Sequence, residues 1–181
     1  SRLTAAAPDD ALAGALEVVS LRRSHHLDEA RRRLAHWRAI DPTSNLLRYE
    51  AHRLGATDPE LWAHLAIDSA RVFDLVDQYL ALGAFEDALD LLSHNYPAVA
   101  APTSEPGAVS PADDPLVSYY RGYLRQRLGQ PSDADFRRAS ELPLAYVFPH
   151  RASSYAVLRG ALKANPADGH ALFLLGSLHF A

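Results

Sequence analysis

The sequence predicts an all-α fold, with antiparallel helix pairs stacked into a right-handed solenoid of about four units. Three observations predict it. Three stretches share one apolar phase: Leu27, Ala30, Leu34 and Trp37; then Phe85, Ala88 and Leu92; then Ser154, Leu158 and Ala161. Apolar residues three and four apart lie on one helix face, and the small residue of each set (Ala30, Ala88, Ser154) admits a partner helix closely. Pro42 and Pro166 follow that small residue by twelve positions and close the unit, because proline cannot continue a helix. Near the end, Leu172, Leu175 and Gly176 have the spacing that opens such a unit.

The elements follow in order. Ser1 to Pro8 has no apolar run long enough for a signal peptide. His25 and His26 fall at a turn before the Leu27–Trp37 helix. Residues 43–66 form an irregular unit. It has a short helix ending near Gly55, then Asp58 as a cap and Pro59 at the first helical position. The best single repeat runs from Val72 to Leu92. Val72, Leu75, Val76 and Tyr79 form the first stripe, Gly83 supplies the turn, and Phe85, Ala88 and Leu92 form the second. Residues 97–115 carry prolines at 97, 102, 106, 111 and 115 and no apolar period. They are expected to be a long, partly disordered inter-repeat loop.

Leu116 to Ala139 has Gly122 and Gly129 in place, but Phe136 and Ala139 come two positions early. Leu142 to His150, Leu-Pro-Leu-Ala-Tyr-Val-Phe-Pro-His, replaces an ordinary turn. Ser154 to Pro166 returns to phase. Gly169 to Ala181 reads as the first helix of a further pair. Its missing partner, and the absence of any Met in 181 residues, lead to the expectation that the chain is a piece of a longer protein.

The stretch Val72–Leu92 resembles the tetratricopeptide repeat: Leu75, Val76, Tyr79, Gly83, Phe85 and Ala88 fall in its register, and Leu175-Gly176 matches the opening of the next copy. Four further segments are Asp87-Ala88-Leu89, Pro115 to Tyr120, Tyr146 to Arg151, and Ala164 to Asp168. Their succession resembles a family of large bacterial multidomain proteins. These carry an uncharacterised β-rich, carbohydrate-related-looking domain before their repeats. The resemblance spans roughly residues 27–181, since such signatures count only when they recur. It implies a place in a larger multidomain protein and no activity for the segment itself; the chain over 1–181 is expected to form a single repeat array.

Composition narrows the function. Net charge is -4, and nucleic-acid binders usually show a basic field, so no nucleic-acid partner is expected. No apolar run could span a bilayer. With no cysteine, thiolate metal sites and thiol nucleophiles are excluded. The nine histidines show no His-Glu-x-x-His spacing, and no serine sits in a nucleophile elbow. No metal, cofactor or catalytic residue is therefore expected. Carboxylate pairs such as Glu86-Asp87 and Asp113-Asp114 read as helix starts. The arginines 22, 23, 31, 32, 33 and 38 read as solvated helix surface, with an acidic peptide partner as the sharper alternative.

In the tetratricopeptide register, Phe73, Asp77, Tyr119, Tyr123, Phe173 and Ser177 would face a concave groove and anchor a ligand. Packing between repeats is the competing account of the tyrosines. The expected function is a noncatalytic module in the cytoplasm that binds a peptide, a protein or another domain of its own chain. Two alternatives stand beside it. One is an accessory segment of a carbohydrate-active multidomain enzyme. The other is self-association, including homo-oligomers through the uncapped final repeat.

Overall fold

The computed structural model describes residues 11–97 and 107–179, and among these it contains helices and no strand. The all-α expectation holds. The helices are α1 (Ala11–Arg23), α2 (Leu27–Ile40), α3 (Asn45–Arg53), α4 (Pro59–Ala66), α5 (Ser69–Ala81), α6 (Phe85–Leu92), α7 (Pro115–Arg127), α8 (Asp133–Glu141), α9 (Ala152–Ala164) and α10 (Gly169–Leu178). The chain divides into two compact units, Ser1–Trp62 and Ala63–Ala181.

One turn recurs. His25, Gly55, Gly83 and Gly129 take φ of 61°, 101°, 66° and 68°. At each, the residue's own N–H bonds three residues back and the next N–H bonds five back, as in Gly83 to Leu80 O and Ala84 to Tyr79 O. This is the left-handed cap that satisfies the orphan carbonyls of a helix end. It ends α1, α3, α5 and α7. Helices α2 and α9 end otherwise. Asp41 and Asn165 each donate to the carbonyl four residues back, Trp37 and Ala161, at 2.8 Å. A proline follows each, holding its predecessor extended.

In the first unit, α1 packs on α2 through Gly14. A Cβ there would fall inside the Trp37 indole. Ala30, Leu34 and Trp37 are buried beside Val18 and Val19. Leu27 is not part of this core: at the first position of α2 it stays 40 % exposed. Glu50 on α3 is fully buried and accepts two hydrogen bonds from Arg22 of α1, at 2.7 and 2.9 Å. A carboxylate so buried is tolerable only with such a partner.

In the second unit, Val72, Leu75, Val76 and Tyr79 of α5 bury with Ala88, Leu91 and Leu92 of α6. Phe85 is only half buried, and the Arg127 guanidinium lies 5.1 Å over its ring. Phe136 of α8 packs against Gly122 of α7, where a Cβ would come within 2.5 Å of its ring. Leu158 and Ala161 of α9 are buried. Leu175 and Gly176 of α10 are half-exposed.

The loop expectation for 97–115 changes over its described end. Residues 98–106 lie outside the described residues. From Gly107 on, the chain is docked: Val109 O accepts from Ser69 N at 2.8 Å, and Pro111 is buried. These backbone groups answer the start of α5, so this part is structure rather than spacer.

Candidate functional site

The starts of α5, α7 and α9 converge in the second unit, and two loops, 107–114 and 142–151, join them. Between these segments lies a cleft of about 250 Å³. Asp68 caps α5 by accepting from Ala70 N at 3.0 Å, and Asp114 caps α7 by accepting from Leu116 N at 2.8 Å. Both are the side chains that helix starts favour, and Pro115 sits at the first position of α7. Ser69 Oγ donates to the second oxygen of Asp114, joining the two starts.

Asp114 is buried, and that burial pushes its carboxyl up to about 6, with the charge of Asp68 adding to the rise; the Ser69 and Leu116 donors pull against it. Tyr120 lines the same cleft and is pushed up to about 12 by burial. Its hydroxyl lies 2.7 Å from Ser153 Oγ and 2.8 Å from Ser154 Oγ. Its ring packs 4.9 Å from Phe73.

Arg151 fixes the loop end onto α5. It donates to Asp77 at 2.8 Å and Asp74 at 2.7 Å, and lies over the Phe73 ring. Burial works against its charge, but the two aspartates outweigh burial and raise its pKa. Ser153 also donates to Asp77, at 2.8 Å.

The rim is aromatic. Tyr146 is 70 % and Phe148 71 % exposed, while Val147 between them is buried. Tyr146 holds φ of 62°, a left-handed backbone that a bulky L-residue adopts only at a cost of about 1–2 kcal/mol. Val147 N donates back to Leu144 O at 3.2 Å and tightens the turn.

The six groove residues do not share one surface. Phe73 is a buried wall of the cleft, and Asp77 is occupied by Arg151 and Ser153. Tyr119 is fully buried and donates to Asp168 at 2.9 Å. Its pKa is raised, first by burial and then by that aspartate. Tyr123 packs on Gly160. Phe173 is 58 % exposed, and Ser177 bonds the Phe173 carbonyl on the same helix. Helix α9 packs against α7 and covers the α7 face that the register assigned to a ligand, whereas Phe173 and Ser177 stand apart on α10.

Tyr146, Phe148 and Arg151 were not among the predicted site residues. Their only sequence signal was the Leu142–His150 stretch standing where a plain turn belonged. Among the described residues no group of three or more His, Asp or Glu is arranged to hold a metal, and no helix is long and apolar enough to cross a membrane. Set against family models, curated proteins and solved structures, the chain matches none.

Proposed function

We propose that this chain is a noncatalytic interaction module built from tetratricopeptide-like helix pairs, and that the aromatic-rimmed cleft takes a peptide or another domain. The repeat reading is supported by the left-handed caps closing α1, α3, α5 and α7 and by the glycine–aromatic contacts of two pairs. The observation that carries the binding reading is the exposure of Tyr146 and Phe148 on a strained turn beside a preformed cleft. Large aromatics held rigid outside a core lose little entropy on binding and often anchor interfaces. Backbone strain concentrates at functional segments.

A displayed peptide library selected on the immobilised chain tests this. Enriched peptides should bind the wild type and lose about tenfold or more in affinity to Tyr146→Ala/Phe148→Ala. The double variant should keep its thermal midpoint, because exposed residues contribute within about 0.5 kcal/mol. Peptides that bind both proteins equally, or no enrichment at all, would refute the cleft as the site.

Self-association is the second reading. Leu172 and Phe173 of α10 are 52 % and 58 % exposed and adjacent. Sedimentation that stays monomeric across concentration would remove it.

A further inference from the structure

The first unit carries a different surface. Helices α2 and α3 leave a shallow groove of about 270 Å³. Leu34 and Ala51 are its buried floor, and Ala35, Leu54 and Ala56 line it further. Arg31 and Arg38 also line it, and among the described residues no carboxylate does. These two arginines are seven residues apart, so they stand about 10.5 Å apart along α2 on one face.

The arginines of this unit differ in what they are committed to. Arg22 holds buried Glu50, Arg33 holds Glu17 at 2.7 Å, and Arg48 holds Asp58 at 2.8 Å. Among the described residues Arg31 pairs with Asp28 alone, at 3.3 Å, with both side chains largely in solvent, a pairing worth little. Arg38 bonds no carboxylate among the described residues. It acts on Asp58 only through space, and Arg48 already occupies that group.

We propose that this groove docks an acidic amphipathic helix, with a leucine-like side chain on the floor and carboxylates two turns apart meeting Arg31 and Arg38. The small Ala35 between the arginines lets a second helix backbone come close. The apolar floor alone would accept any aliphatic helix. The guanidinium rim selects, because it binds carboxylates bidentately and rejects a basic helix. A nucleic acid fits less well. Through Trp62 the unit has nine basic and nine acidic residues, so it lacks the field that gathers phosphates, and the floor offers nothing to a backbone of charge.

The probe is a fluorescein-labelled helical peptide with one leucine flanked by glutamates two turns apart, titrated into the full chain by anisotropy. Saturable binding should weaken as salt is raised. Arg31→Glu/Arg38→Glu should weaken it about tenfold or more. Ala35→Trp should weaken it equally by filling the groove, since Ala35 is exposed and its replacement spares the core. Arg137→Glu, exposed in the second unit, should change nothing. A lysine-for-glutamate peptide should not bind. Thermal midpoints of all variants are read alongside; if the charge reversal unfolds the chain, Arg31→Gln/Arg38→Gln carries that arm. The proposal is overturned if the acidic peptide fails to bind. It is overturned equally if Ala35→Trp binds as the wild type does, or if a duplex oligonucleotide displaces the peptide and Ala35→Trp does not affect its binding.

Discussion

The α1/α2 and α7/α8 pairs close in the same way around different rings. In each, a glycine on the first helix receives an aromatic ring from the second: Trp37 on Gly14, Phe136 on Gly122. Both rings are buried. The glycine is required for its missing Cβ, not for its backbone freedom, since both glycines sit in ordinary helix. The pairs differ in polarity. The Trp37 indole N–H has no acceptor among the described residues, while Phe136 brings no polar atom. They differ also at the turn, where α1 ends on His25 in the left-handed region and α7 on Gly129. A histidine there costs about 1–2 kcal/mol that a glycine does not. The first pair therefore carries two local costs that the second avoids, and its larger ring must offset them by buried area.

Filling the two glycines shows whether ring size sets how closely each helix pair approaches. Gly14→Ala should have the largest effect. Its methyl would fall inside the indole ring system, and a buried bicyclic side chain has nowhere to turn. Destabilisation of about 3 kcal/mol or more is expected, at the upper end for overpacking, read as a drop in the urea midpoint. Gly122→Ala should cost less, about 1–2 kcal/mol. Its methyl meets the edge of a single ring at 2.5 Å, and part of the clash is offset by the better helix propensity of alanine. Equal losses for the two variants would show that ring size does not set the approach of the helices. A gain in stability for either would show that the pair is open at that point.

Part of this architecture was legible in the sequence. The phase of Ala30, Ala88 and Ser154, the turns at Gly55, Gly83 and Gly129, and the two closing prolines are local signals, read from spacing alone. The cleft was not legible. Tyr146 takes a glycine-like backbone without being glycine, so nothing in its identity marks the turn. Tyr119 was assigned to a groove by register, but its hydroxyl partner Asp168 lies 49 residues away. Only the packing of α9 against α7 decides which face is covered. The arginine cluster was visible as composition. Which members were committed depended on Glu17 and Glu50, which stand on other helices. Long-range partners, not local pattern, separate an occupied charge from an available one.

The smallest expected effect isolates the polar difference between the two pairs. Trp37→Phe would give the first pair the chemistry of the second. Two terms oppose each other. The smaller ring leaves unfilled volume in a site where Trp37 is 1 % exposed, and a residual cavity destabilises in proportion to its size. The substitution also removes a buried N–H that has no acceptor among the described residues, relieving about 1–3 kcal/mol of desolvation cost. Arg33, which lies 5.8 Å over the indole, would keep a ring beneath it, though phenylalanine is a weaker partner for a cation. The net change should lie within about 1 kcal/mol of zero, measured by urea unfolding of the whole chain. A loss well beyond that would mean the indole N–H is hydrogen-bonded in solution, and the polar contrast with the α7/α8 pair would disappear. In the double variant Gly14→Ala/Trp37→Phe, the smaller ring should recover part of what Gly14→Ala loses, because the two residues share one contact and their effects cannot add. Strict additivity would place the clash elsewhere on α2.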